Sequence, residues 1–165
     1  MRILHTRLLA EEVCRLLIEA NYELPESLAK RMKDCEESEE NPLAKSILGK
    51  LSDNMAAAKE ISVPVCQDTG MAVIFLEIGQ EVFWEGEPLE TAVNRGVAEA
   101  YDKGYLRKSV VCDPLFDRIN TGNNTPAILH TRIVPGDRVR LIAAPKGFGS
   151  ENMSAVKMFT PSAGK

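Results

Sequence analysis

The chain has 165 residues, 44% of them hydrophobic and 27% charged, and its 20 Lys+Arg against 24 Asp+Glu leave a net charge of −4. That length suits one domain with its own core. The acidic balance removes the electrostatic source of phosphate-driven nucleic-acid binding. No apolar run approaches the ~20 residues of a membrane helix, and the N-terminus meets charge at Glu11 and Glu12, unlike a signal peptide. The expectation is a cytoplasmic protein with no nucleic-acid partner and no membrane anchor.

In chain order, Leu9, Val13, Leu16, Leu17 and Ala20 recur at helical intervals between Glu11, Glu12, Arg15 and Glu19. A second helix is predicted from about Pro25, a residue suited to a first turn, with Leu28, Met32 and Cys35 as its apolar stripe. Glu36-Glu37-Ser38-Glu39-Glu40 reads as a solvated helix end or linker. Asn41-Pro42 supplies a cap and first turn for a third helix whose buried face is expected at Ile47, Leu51, Met55 and Ala58. Ile61 to Val65, interrupted by Pro64, suits an edge strand or an extended entry.

Met71 to Ile78 is a nearly continuous apolar run between glycines, long enough for a buried strand. Pro88 to Lys103 reads as a helix with Leu89, Ala92, Val93, Val97, Ala100 and Tyr101 on one face and Gly104 as C-cap. Residues 127–134 and 138–144 look like two strands of a hairpin turning at Pro135-Gly136-Asp137. Ser154 to Phe159 is expected to begin one more short helix. The predicted class is mixed α/β (α+β): an N-terminal helical segment, residues 1–60, packed against a small mixed sheet with further helices in residues 61–165, together one domain.

The cysteines, at 14, 35, 66 and 112, contain no Cys-x-x-Cys pair, which excludes a zinc ribbon or thioredoxin-like motif. A disulfide framework is not expected in a chain able to build its own core, and Cys14 and Cys35 fall on helix positions as small hydrophobes.

Chemistry concentrates in four loops. Cys66-Gln67-Asp68-Thr69-Gly70 delivers a thiol, an amide, a carboxylate and a hydroxyl together, with a glycine for a sharp turn. Tyr105-Leu106-Arg107-Lys108-Ser109 offers a guanidinium, which grips a carboxylate with two parallel hydrogen bonds. Asn120-Thr121-Gly122-Asn123-Asn124-Thr125-Pro126 is dense in small donors. Lys146-Gly147-Phe148-Gly149-Ser150-Glu151-Asn152 places glycines where backbone N–H groups can face an anion. It lacks the third glycine of a dinucleotide fingerprint and the Gly-Lys-Ser/Thr of a P-loop. Taken singly, each segment has a bland alternative: a turn with an inert thiol, a surface arginine, an ordinary loop. His5 and His130 are the only histidines, so no His-containing metal cluster and no Ser-His-Asp hydrolase is supported.

Taken together and in this order, the four segments resemble the class I (iron–sulfur) fumarate hydratase/tartrate dehydratase family. The resemblance is to the N-terminal part of its alpha subunit or domain, and runs from the Leu16-to-Leu24 segment to the Pro161-Ser162-Ala163-Gly164 ending. Enzymes of that family are oxygen-sensitive lyases whose 4Fe–4S cluster is held by three cysteines, with one iron open to substrate. The resemblance implies that Cys66 is the first cluster ligand, that Gln67, Arg107 and Gly149 bind substrate, and that Asp68 takes part in proton transfer. It leaves open whether another residue is the base. Asn120, Thr121 and Lys146 are implied as neighbours of the site. Phe148 stands where many relatives have a glycine.

The Arg107-Lys108-Ser109 and Ser150-Glu151-Asn152 segments resemble the fumarase branch of the family more than its tartrate dehydratases, which implies fumarate and malate over tartrate. The family's other two cluster cysteines lie further along its alpha chain. The resemblance therefore implies a C-terminally incomplete chain, inactive alone, that works with a beta subunit or C-terminal domain and forms a homo-oligomer. A non-catalytic module binding a diacid or a partner is one alternative, and a tartrate dehydratase alpha part is another.

Overall fold

A computed structural model describes residues 1–163; Gly164 of the Pro161–Gly164 ending lies outside them. The elements are β1 (Arg2–His5), α1 (Thr6–Tyr22), α2 (Glu26–Ser38), α3 (Pro42–Ile61), β2 (Met71–Gly79), β3 (Val82–Glu85), α4 (Leu89–Lys103), β4 (Ile128–Val134) and β5 (Val139–Lys146). Two short 3-10 turns, Gly149–Met153 and Pro161–Ala163, follow. The class is the mixed α/β expected from the sequence.

The core forms where the apolar faces of α1 and α4 meet one face of β2. His5 caps α1, its Nδ1 accepting from the Arg7 N–H at 3.0 Å. Leu9, Val13 and Leu17, one turn apart, are buried with Ala10 and Cys14 between them. From α4 come Ala92, Val93, Val97, Ala100 and Tyr101. The two helices approach closely at Gly96, where a Cβ would stand 2.5 Å from the Ala10 carbonyl oxygen. Strand β2 contributes every second residue, Ala72, Ile74, Leu76 and Ile78, as a strand period of two requires.

The sheet itself departs from the expected hairpin. Its order is β4-β2-β5, with β4 parallel and β5 antiparallel to β2, so the two predicted strands exist but never pair with each other. Pro135-Gly136-Asp137 instead arches over the end of β2. There the Gly79 N–H donates to Arg138 O at 2.8 Å and the Gln80 N–H to Val134 O at 2.8 Å. A Cβ at Gly79 would fall 2.4 Å from Gly136 O, so the arch closes only over glycine. Placing β2 between the two satisfies the backbone groups on both its edges, which a hairpin beside it would leave half paired.

Other expectations need correction. Strands β1 and β3 pair in parallel, Arg2 opposite Val82 through His5 opposite Glu85, as a second small sheet; each is four residues long, too short to show a period in sequence. Asn41 does cap α3, its Oδ1 accepting from the Leu43 and Ala44 N–H groups. The stripe behind it is not buried, however: Ile47 and Leu51 stay exposed and only Ala58 is buried. The helix α3 runs to Ile61 and ends in left-handed Ser62 (φ 54), so residues 61–65 form no strand; they are a helix end and an irregular entry. Ser154 to Phe159 is irregular as well, because the helical turn comes earlier, at Gly149–Met153.

Candidate active site

The sheet brings two of the four loops together. Met71 at the start of β2 lies opposite Lys146 at the end of β5, so Cys66–Gly70 and Gly147–Gly149 leave the same end of the sheet. Gly70 sits in the left-handed region (φ 62), and a Cβ there would fall 1.8 Å from Lys146 O. Conformation and close approach both demand glycine at this position.

Asp68 joins the two loops. Its Oδ2 accepts from the Gly149 N–H at 2.7 Å and its Oδ1 from the Phe148 N–H at 3.1 Å. The backbone N–H groups that the sequence offered to an anion thus face the protein's own carboxylate. These two bonds, Gly149 first, hold the Asp68 carboxyl below the usual aspartate range, with smaller help from the charges of Arg107 and Lys146. A Cβ at Gly149 would lie 3.0 Å from Asp68 Oδ2, and one at Gly147 2.9 Å, so both glycines keep room for this carboxylate.

Cys66 is exposed at the head of the loop. Its sulfur accepts from the Asp68 N–H at 3.4 Å, and its Sγ lies 3.7 Å from Gln67 Oε1. Cys14 is buried in α1, while Cys35 belongs to α2 and Cys112 to the exposed loop before Asp113. Among the described residues no three His, Cys, Asp or Glu side chains group as a metal site. Cys66 fits the role of one thiolate ligand, exposed and beside a donor N–H. The described residues do not complete a cluster site.

The arginine segment docks from the side. Tyr105, at φ 51, turns the chain out of α4, and buried Leu106 anchors it. The Thr69 hydroxyl then donates to Arg107 O at 3.0 Å, which sets the backbone of Arg107 against the Cys66–Gly70 loop. The exposed Arg107 side chain has no ion pair among the described residues, whereas Lys108 is paired with Asp102 at 3.1 Å and Lys146 with Glu151 at 2.7 Å. Of the site's cations, Arg107 alone faces the Asp68 charge without a carboxylate of its own.

The structure therefore brings Cys66, Gln67, Asp68 and Gly149 to one place, with the Arg107 backbone bonded to the same loop. Asn120 lies one step out, its Nδ2 donating to Lys108 O at 2.9 Å. His130 is elsewhere, stacked on Phe75 at 5.0 Å on the outer face of the sheet.

Sequence reasoning missed the buried polar residues beneath the loops. The Tyr101 hydroxyl donates toward Thr69 O (3.0 Å) and Gly70 O (3.1 Å). Burial pushes this phenol up to about 12, against a smaller pull from Asn124. The helical spacing places Tyr101 only on an apolar face, and nothing in a helical period distinguishes a tyrosine whose hydroxyl is used.

An exposed thiol, an amide and a pinned carboxylate thus gather at one end of a mixed sheet, beside an arginine with no ion pair among the described residues. The chain belongs to the fumarate hydratase (fumerase) family, whose model matches residues 10–165. It is 36% identical over 161 residues to a protein of Methanocaldococcus jannaschii provisionally named L(+)-tartrate dehydratase subunit alpha, a match covering 94% of this chain and 56% of that protein. The L(+)-tartrate dehydratase subunit alpha of Escherichia coli, in strains UTI89 and K12, is 29% identical over 160 residues, covering 94% of this chain and 52% of its own. The chain thus spans about half the length of these relatives.

Proposed function

We propose that this chain is the N-terminal alpha part of an iron–sulfur hydro-lyase that reversibly hydrates fumarate to L-malate. It acts in the cytoplasm, in a homo-oligomer completed by a beta subunit or C-terminal domain. The observation that carries this reading is the convergence of Cys66, Gln67, Asp68 and Gly149 beside Arg107, within a chain of the fumarate hydratase family. Large apolar side chains exposed on the outer sheet face, Phe75 and Ile142 among them, support assembly with further polypeptide. No described helix is long and apolar enough to cross a membrane.

In this reading Cys66 is one ligand of a 4Fe–4S cluster whose other thiolates come from outside the described residues. The cluster, when bound, supplies a Lewis acid for the departing hydroxyl. The chain's own residues do the rest. Arg107 grips a substrate carboxylate through its fork of donors, and the Gln67 amide orients the other polar end. Asp68 is ionised across the neutral range. The two N–H bonds use about half of a carboxylate's roughly four acceptor sites, so the remainder can take a proton from the carbon next to the leaving group. Gly149 keeps a side chain away from that carboxylate.

A second reading, tartrate as substrate, is favoured by the names of the relatives. The two substrates differ by one hydroxyl, a difference that a few contacts decide. The test is anaerobic reconstitution of the complete alpha–beta assembly, followed by turnover of L-malate, fumarate and L-tartrate side by side. Turnover abolished by Cys66→Ser and reduced at least a hundredfold by Arg107→Met is the expected result. A wild-type assembly that holds its cluster and dehydrates none of the three would overturn the proposal. The 165-residue chain by itself is expected to hold no stoichiometric cluster and to turn over none of them.

A further inference from the structure

Beneath the loops, at the closed side of the site, lies one polar side chain with no exposure at all. Asn124 is 0% exposed and sits in the left-handed region at φ 62. Its Oδ1 accepts from two successive backbone groups of the arginine segment, Ser109 N–H at 2.7 Å and Val110 N–H at 2.9 Å. Its Nδ2 donates to Gly70 O at 3.0 Å, the carbonyl that also accepts from Tyr101. One buried amide therefore ties the Cys66–Gly70 loop to the segment that follows Arg107, and uses three of the four hydrogen bonds open to it.

We infer that Asn124 is the positioning residue of this site: with Tyr101 beneath it, it sets the separation between the arginine that holds the substrate and the loop that carries Cys66 and Asp68. The two residues divide the work. The Tyr101 hydroxyl bonds the Thr69 and Gly70 carbonyls and lies beside the Asn124 amide, so it acts on the Asp68 loop and on no backbone group of the arginine segment. Asn124 grips both sides and is the sole side chain among the described residues hydrogen-bonded to the Ser109 and Val110 amides. Neither touches the solvent-facing site, so each acts through the backbone it holds. Buried networks of this kind are costly to leave half satisfied and correspondingly rigid when complete.

The inference rests on the hydro-lyase reading only for its kinetic consequences, and two separate measurements keep the two apart. Asn124→Gly removes the side chain while keeping a residue at ease at positive φ; Tyr101→Phe removes one hydroxyl. In the 165-residue chain, hydrogen exchange followed by NMR is expected to speed up at least tenfold at Ser109 and Val110 in Asn124→Gly. The Phe148 and Gly149 amides, which Asp68 holds, should also exchange faster, although neither touches Asn124. Val97→Ala, a core truncation with at least as large a loss of stability, is expected to leave the relative protection of those four amides unchanged. In the reconstituted assembly, Asn124→Gly is expected to raise KM at least fivefold because Arg107 is displaced, while Tyr101→Phe lowers kcat with little change in KM.

Faster exchange confined to Ser109 and Val110, or an identical pattern in Val97→Ala, would overturn the inference and leave Asn124 a local turn residue. Should the wild-type assembly turn over no diacid, the hydro-lyase reading fails and the exchange pattern still decides the role of Asn124.

Discussion

Helices α1 and α4 and helices α2 and α3 carry similar amphipathic patterns, yet only the first pair lies in the core. Val13, Leu17, Val93 and Val97 are each 0% exposed, whereas Leu28, Ile47 and Leu51 are 46%, 51% and 45% exposed. The difference is the third partner. The faces of α1 and α4 close over the inward residues of β2. In contrast, α2 and α3 pack mainly on each other, and α3 makes only slight contact with α1. A helical period shows that a face is available for burial; it does not name the surface that will cover it. Helix α3 reaches the entry to the site only through Asn54, whose Nδ2 donates to Val65 O at 2.8 Å, whereas α4 leads straight into the Arg107 segment and carries Tyr101 under the Cys66–Gly70 loop.

This contrast can be broken or sharpened by measurement, beginning with the largest effect. Leu17→Ala is expected to cost about 3 kcal/mol in urea unfolding, the loss of a fully enclosed side chain plus its cavity, and Leu51→Ala less than about 1 kcal/mol. Equal losses would mean that α3 is buried in solution by something else.

A comparable effect is expected from pH. The Tyr101 phenol is raised from 10.0 to about 12 by burial. The fold therefore keeps its proton where the unfolded chain has lost it. Its contribution is fully present below pH 10 and drains away as pH rises from about 10 to about 12, at most about 3 kcal/mol in all. Urea titrations of the wild type and Tyr101→Phe across that window should diverge in slope; parallel slopes would mean that Tyr101 is not enclosed.

Glycine substitutions give effects of opposite sign. Gly96→Ala should destabilise by about 1–3 kcal/mol, because its Cβ meets the Ala10 backbone at 2.5 Å and Val13 Cβ at 2.9 Å. At Gly49 of α3 the nearest atom is Glu36 Oε1, 3.1 Å away at the tip of a flexible side chain. Gly49→Ala is therefore expected to raise stability by up to about 1 kcal/mol through helix propensity. Asn41→Ala is expected to cost about 1 kcal/mol for a lost cap, seen as faster amide exchange confined to α2 and α3.

Much of the fold was legible locally. The apolar runs of α1, α4 and β2, the Asn41 cap and the end of α4 at Gly104 all follow from short-range spacing and chemistry. The failures have a common cause. Residues 127–134 and 138–144 are strands separated by a turn sequence, and a hairpin is the local solution. The pairing with β2, some fifty residues earlier for β4, is the solution that occurs. Likewise the pair β1 and β3 joins residues about eighty positions apart, and Asn124 reaches back 54 positions to Gly70. At the site, the side chains proposed to do the chemistry were picked out because four motifs stood together. The side chains that hold them were not: a buried Asn in a polar loop and a Tyr on an apolar helix face have innocent local readings.

By itself, then, the sequence determined the elements with a strong local period and the set of side chains available for chemistry. The tertiary structure alone decided which strands adjoin, which helix faces are covered, and which N–H groups the Asp68 carboxylate meets. The physical reason is one of range. Caps, periods and turns involve residues within a few positions of one another, so their energetics are written in adjacent letters. The pairing of β2 with both its neighbours, and the closing of four loops on Gly70 and Asp68, depend on backbone groups that become neighbours only after the core of α1, α4 and β2 has formed.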